Sequence, residues 1–191
     1  MQVKHFFSVL FCFISLNVIS QFKFEKEYRI KQSEVPHTAT SFVRKIKPTG
    51  KIKWYVEESQ QGKTFEAKFT YLSKKFSVEF FKDGKLADIE VKTLFPKIPK
   101  ETQSTIKEEL YKEFKKFKIR KTQIQYKGSE EELINYFQEH KTEKNLTINY
   151  EIVLDGKSQK GYQRYEFLFN TNGNKVSKLK FIPTNFDNLE F

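Results

Sequence analysis

This chain writes one hairpin twice. Residues 77–91 read "SVEFFKDGKLADIEV", and residues 166–181 read "EFLFNTNGNKVSKLKF". Each is an apolar-aromatic strand, an Asx-Gly turn and a second strand. Asp83-Gly84 and Asn172-Gly173 predict type I′ turns, because Asp, Asn and Gly tolerate positive φ. Aligning the turns matches Phe76, Val78 and Phe80 with Tyr165, Phe167 and Phe169. All six fall on one face of their strands, at period two. Downstream, "DIEV" (88–91) is matched to "KLKF" (178–181) after one extra residue, which predicts a bulge.

Reading backwards from each turn extends the pattern. In the first half, Phe65, Ala67, Phe69 and Tyr71 alternate with Glu66, Lys68 and Thr70. Before them, Ile52, Trp54 and Val56 alternate with Lys53, Tyr55 and Glu57, with "SQQG" (59–62) as the turn. The parity puts Trp54 on the apolar side, in the core. In the second half, Ile148, Tyr150, Ile152 and Leu154 share a side, and residues 118–126 supply the earlier strand.

A helix opens each half. Over residues 35–50, Pro36 stands near the first helical position, Ala39, Phe42, Val43 and Ile46 form a stripe, and Pro48 and Gly50 stop the helix. Over residues 98–117, Ile106, Leu110, Phe114 and Phe117 form the stripe and lysines crowd the other side. The second half is longer by an insertion at 128–145. There Ser129 and Glu132 spell a capping box, and Leu133, Ile134 and Phe137 give a short helix an apolar side.

One helix on four strands leaves open edges and a small core. Two such units side by side make an α+β fold. The expectation is one roughly eight-stranded antiparallel sheet, built from tandem helix-plus-four-strand repeats, with both helices on one face and the other face bare. The repeats span 21–92 and 93–182, and 183–191 is a tail.

Residues 1–20 are expected to lie outside the fold. Lys4 and His5 precede an apolar run over 6–20 that is too short to span a bilayer as a helix, the composition of a secretory signal peptide. Cys12 sits within that run behind Phe11, so a lipid anchor is not expected. After cleavage near Ser20 no cysteine remains, which excludes disulfides, thiol nucleophiles and Cys-ligated metals. The chain carries a net charge of +11. That attracts polyanions, but the signs alternate along most segments, as on a solvated surface. The expected location is the periplasm or the cell exterior, where nucleic acid is not an expected partner.

The order helix-then-four-strands, twice, with Val35-Pro36 and Ile98-Pro99 before the helices and the hairpins 76–91 and 165–181 closing each half, resembles the PepSY-like proteins of the β-lactamase-inhibitor-protein-like (BLIP-like) fold. The likeness covers roughly residues 25–182. It implies a secreted, non-enzymatic domain whose bare sheet face grips a protein partner. No residue of a β-lactamase contact set carries over.

Motifs for chemistry are sparse. His37 and His140 have no second imidazole at ligand spacing, and neither a P-loop, G-x-S-x-G nor H-E-x-x-H occurs. The stretch 82–88 lacks the acidic spacing of a calcium loop. No catalytic residue, cofactor or metal is therefore expected. The parity of the strands puts Tyr55, Lys68, Glu79, Phe81, Glu151, Tyr162 and Arg164 on the bare face. Aromatics among mixed charges suit a protein or peptide interface, unless the tail 183–191 covers them. Glu66, Glu79 and Glu151 meeting across strands would instead suit a hydrolase. A third class is an envelope protein binding acidic glycan or anionic lipid through a basic helix, with Lys107, Lys112, Lys115, Lys116, Arg120 and Lys121 outward. A monomer is expected.

Overall fold

Trp54, Val56, Phe65, Ala67, Phe69, Phe76, Val78 and Phe80, the apolar half of three alternating strands, are all buried on a single sheet face. The structure is a computed structural model, and it describes residues 21–23, 25–59, 62–139, 145–159 and 161–182. The elements run β1 (Gln21–Lys23), β2 (Glu25–Ile30), α1 (His37–Ile46), β3 (Thr49–Ser59), β4 (Gly62–Tyr71), β5 (Lys74–Phe81), β6 (Leu86–Thr93), α2 (Lys100–Glu113), β7 (Phe117–Lys127), α3 (Glu130–Glu139), β8 (Thr147–Ser158), β9 (Gly161–Asn170) and β10 (Lys175–Phe181). All ten strands form one sheet, in the order β1-β10-β9-β8-β7-β6-β5-β4-β3-β2. Every ladder is antiparallel except the short one between β1 and β10. The class is α+β, and two strands join the eight expected from the pattern.

Those two set the shape of the sheet. β1 and β2 stand at opposite ends of the order, yet only Phe24 separates them in sequence. Two peptide units reach at most about 7 Å. The sheet therefore curls until its ends adjoin at that corner, the accumulated twist of many strands.

The apolar parity carries two cores. α1 buries Ala39, Phe42, Val43 and Ile46 against β3–β6, with Phe42 edge-on to Phe80. α2 buries Ile106 and Leu110 against β8 and β9, beside Phe114, Tyr165 and Phe167. Ile124 on β7 touches both cores, and Ile148, Tyr150, Ile152 and Leu154 alternate along β8, so both lie on one sheet face. α3 was read as an insertion and is also a brace. Its capping box forms, with the Ser129 hydroxyl accepting from the Glu132 amide at 3.2 Å. Leu133 is fully buried in the α1 core, and Phe137 packs edge-on to Phe76 and Tyr126.

Two local readings are corrected. Neither Asx-Gly hairpin is type I′. Only Gly84 (φ 82°) and Gly173 (φ 84°) are left-handed; Asp83 and Asn172 are not. Gly84 N–H donates to Phe81 O and Phe81 N–H to Lys85 O, and Asn170, Gly173 and Asn174 repeat the pattern. These are three-residue loops ending in a left-handed glycine. The turn with two adjacent left-handed residues is Leu72-Ser73 (φ 46° and 60°), between Tyr71 and Lys74. The hairpin bulges were also misplaced. Ala87 is extra in β6 and Val176 in β10, the same offset from each turn, so Asp88 corresponds to Ser177 with no further shift.

The helix expected over 98–117 ends at Glu113. Phe114 caps it in extended conformation (φ −133°, ψ 129°), and Phe117 already begins β7. Phe117 and Ile119, and beyond a bulge at Arg120 also Thr122, Ile124 and Tyr126, face the helix side, and pairing with β8 outweighs a further helical turn. The basic set is thereby divided. Lys107 and Lys112 are on α2, Lys115 and Lys116 are in the turn, and Arg120 and Lys121 are on β7. It is not one basic helix.

Candidate functional site

The polar parity of the strands lines the face opposite the helices. Cross-strand pairing assembles it row by row. One row runs Arg29, Tyr55, Glu66, Glu79 and Asp88 across β2 to β6. The next runs Lys53, Lys68, Ser77, Glu90, Gln125, Asn149 and Asn170 across β3 to β9. A third brings Gln123 beside Glu151 and Leu168.

This face is not bare in its middle. Glu66, Ser77, Asp88, Glu90, Gln123, Gln125, Asn149 and Glu151 are each 5–7% exposed. No described helix lies over them. Their side chains crowd one another across the strands, as the hydrogen bonds among Glu90, Gln123, Asp88, Gln125 and Asn149 show.

Burying charge is costly unless it is paired, and the pairing is extensive. Lys68 Nζ reaches Glu27 at 2.8 Å and Glu66 at 3.0 Å, and lies 4.8 Å from the Tyr55 ring centre. Ser77 donates to Glu66. Gln123 Nε2 donates to Glu90 Oε2 at 2.7 Å, Gln125 Nε2 to Asp88 Oδ2 at 3.0 Å, and Asn149 Nδ2 to Gln125 Oε1 at 3.1 Å. Lys121 meets Glu151 at 3.2 Å and Lys127 meets Asp88 at 3.7 Å. Two buried oxygens, Asp88 Oδ1 and Gln123 Oε1, receive no hydrogen bond.

Glu79, Asp88 and Glu90 each present a carboxylate oxygen within 4.8 Å of the other two. Desolvation and mutual repulsion act together here. Burial, then the Asp88 charge, push Glu79 well above the ordinary carboxylate range. Burial, then Glu151, do the same for Glu90, which also shares a hydrogen bond with Glu151. Burial raises Asp88 to about 6 against the pull of Lys127. Burial also raises Glu66, although Lys68 and Ser77 oppose it. For Lys121, burial favours the neutral form, but Glu151 and Glu90 outweigh it and hold the ammonium above its ordinary range.

The anticipated face residues divide in two. Tyr55, Lys68, Glu79 and Glu151 belong to the connected polar network, with Phe81 at its margin, 53% exposed. Tyr162 and Arg164 lie toward the opposite end of the face. Tyr162 is 59% exposed, and Arg164 joins Arg120 on Asp155 at 3.0 and 2.6 Å. Asp88, Glu90, Gln123 and Gln125 were not anticipated. Their signal was the alternation of "DIEV" and "QIQY", in which every second residue is polar and hydrogen-bonding. Of the basic set, Lys121 faces this network, Arg120 pairs with Asp155, and Lys112 pairs with Glu109. Residues 183–191, His140 and residues 1–20 lie outside the described residues.

No protein-family model matches this sequence. No curated protein matches it either. Solved structures do. A DUF2874 family protein from Bacteroides uniformis superposes with a TM-score of 0.52 at 12% identity, over 76% of this chain and 89% of that one. A BLIP-like protein from Bacteroides fragilis gives 0.50 at 12% identity, over 82% and 92%. A Bacteroides eggerthii protein described provisionally as periplasmic gives 0.50 at 14%, over 76% and 88%. These likenesses are of fold: the chain adopts the BLIP-like fold.

Proposed function

We propose that this chain is a secreted or periplasmic binding module of the PepSY-like type, without catalytic chemistry, and that the helix-free sheet face grips a protein or peptide partner. The observation that carries the proposal is the fixed polar network on that face, rimmed by exposed Phe81 and Tyr162. Preorganised, desolvated polar groups beside aromatic anchors are what an interface needs for specificity. The duplicated sequence supports a tandem origin. Val35-Pro36 and Ile98-Pro99 enter the two helices with nearly identical angles, Pro36 at φ −53°, ψ 138° and Pro99 at φ −51°, ψ 139°. Each hairpin glycine then packs on the helix of its own half, Gly84 on Pro36 and Thr38, Gly173 on Thr102 and Thr105. The apolar leader and the periplasmic description of one structural neighbour support export.

The test is affinity capture from the envelope fraction with the purified chain and its Tyr55→Ala/Phe81→Ala form. Capture that disappears in the double variant and persists from about 50 to 200 mM salt is expected. Capture that falls steeply with salt and ignores the double variant refutes this reading in favour of polyanion binding. A second reading has one specific support: acids within 4.8 Å of one another with Asp88 at about 6 also suit a glycoside hydrolase. Glycan turnover that Glu79→Gln abolishes would establish it.

A further inference from the structure

We propose that Glu79, Asp88 and Glu90 form a calcium site on the helix-free face. The three carboxylates come from adjacent strands, β5 and β6, and each brings an oxygen within 4.8 Å of the other two. Grouped acids alone do not make a site. Two orphaned oxygens point further. Asp88 is 5% exposed; its Oδ2 takes both Gln125 and Lys127, while Oδ1 has no donor. Gln123 is 7% exposed; its amide nitrogen is committed to Glu90 and its carbonyl oxygen has no donor. Buried acceptors left unpaired beside a carboxylate group lack a positive partner.

The donor chemistry selects the ion. All three donors are hard oxygens, which calcium and magnesium prefer over zinc or copper. Calcium holds oxygens at about 2.4 Å, so opposite ligands lie up to about 4.8 Å apart; magnesium demands about 2.1 Å and about 4.2 Å. Carboxylate oxygens within 4.8 Å of one another already lie inside the span of a calcium shell. Calcium also accepts irregular coordination completed by water, whereas magnesium wants an octahedron and keeps its waters. Nearby cations leave room for the ion. Lys121 is engaged with Glu151, and Lys127, 3.7 Å from Asp88, is 47% exposed and free to swing outward. The sequence does not announce this site, because its ligands are not spaced along one loop. They meet only through the register of the sheet.

Isothermal titration of the purified, chelator-stripped chain with calcium chloride at pH 7.5, paired with thermal melts, tests the proposal. One saturable calcium per chain is expected, with a rise in Tm in 5 mM calcium over EDTA and at least tenfold weaker binding of magnesium. Glu90→Gln and Glu79→Gln should each weaken calcium by tenfold or more. Both replace an acid by its neutral isostere, so folding is retained. Glu101→Gln, at the start of α2, should bind as the parent does. No saturable heat, or an equal Tm in calcium and EDTA, would overturn the site. So would binding that survives both cluster variants, or that weakens equally in Glu101→Gln. Tighter magnesium than calcium would overturn the choice of ion.

Discussion

Asp88→Asn should stabilise this protein at alkaline pH and not at acid pH. Asp88 is raised from 3.8 to about 6, with burial as the largest cause. An acid whose pKa is higher folded than unfolded holds its proton more tightly in the folded chain. Its contribution is therefore fully present below about pH 4 and is lost as the pH rises through about 6. A shift of about two units amounts to roughly 3 kcal/mol. That net shift already contains the pull of Lys127, and asparagine keeps an acceptor for Gln125 Nε2. The expectation is a gain of about 3 kcal/mol at pH 8, or about 6–12 °C in Tm for a chain of this length. At pH 4 the variant should match or fall slightly below the parent. Circular-dichroism melts from pH 4 to 8 in EDTA measure it; the chelator matters because the same substitution removes a proposed calcium ligand. Parallel stability curves for parent and variant, or a gain confined to acid pH, would refute the claim that Asp88 is a strained buried charge.

Other consequences concern the scaffold. Leu72→Asn with Ser73→Gly should raise stability by about 1 kcal/mol, read by urea denaturation, because two left-handed positions now carry ordinary L-residues. Gly173→Ala should cost about 1–3 kcal/mol in the same assay. Its φ is 84°, and a Cβ there would stand 2.8 Å from the Thr102 carbonyl oxygen, a backbone atom that cannot give way cheaply. Leu133→Ala should cost about 2–5 kcal/mol if α3 is a brace of the α1 core, and almost nothing if it is a dispensable insertion.

Most of the strand pattern was legible because burial on one side of a twisted sheet writes itself as strict alternation. Trp54, Phe65, Phe80, Phe167 and Phe169 all fell on the side that alternation assigned, and Trp54 is 2% exposed. The end of α2 was not legible, because Phe114 and Phe117 sit three apart, a spacing that suits one more helical turn as well as a chain leaving the helix. The Leu72-Ser73 turn carried no Gly or Asn to announce it. β1 and β2 lack apolar alternation; they hold the margins of the sheet through backbone pairing, which no side-chain pattern reports. The candidate site was half visible. Strand parity put Glu66, Glu79 and Glu151 on one face, and Glu66 does face Glu79 across strands. Matching "DIEV" to "KLKF" obscured its other members. In the observed register Glu79, Asp88 and Glu90 correspond to Leu168, Ser177 and Leu179. The acids therefore gather in the first half alone, a difference between the halves that a repeat-based reading averages away.

Site-directed photo-crosslinking in the producing cell is the most direct test of where this molecule works. A photoreactive phenylalanine analogue at Phe81 or Tyr162 should trap one common protein species, while the same probe at Tyr111, exposed on the helix side, should trap none. Adducts arising from Tyr111 alone, or equally from all three positions, would show that the helix-free face is not the contact surface.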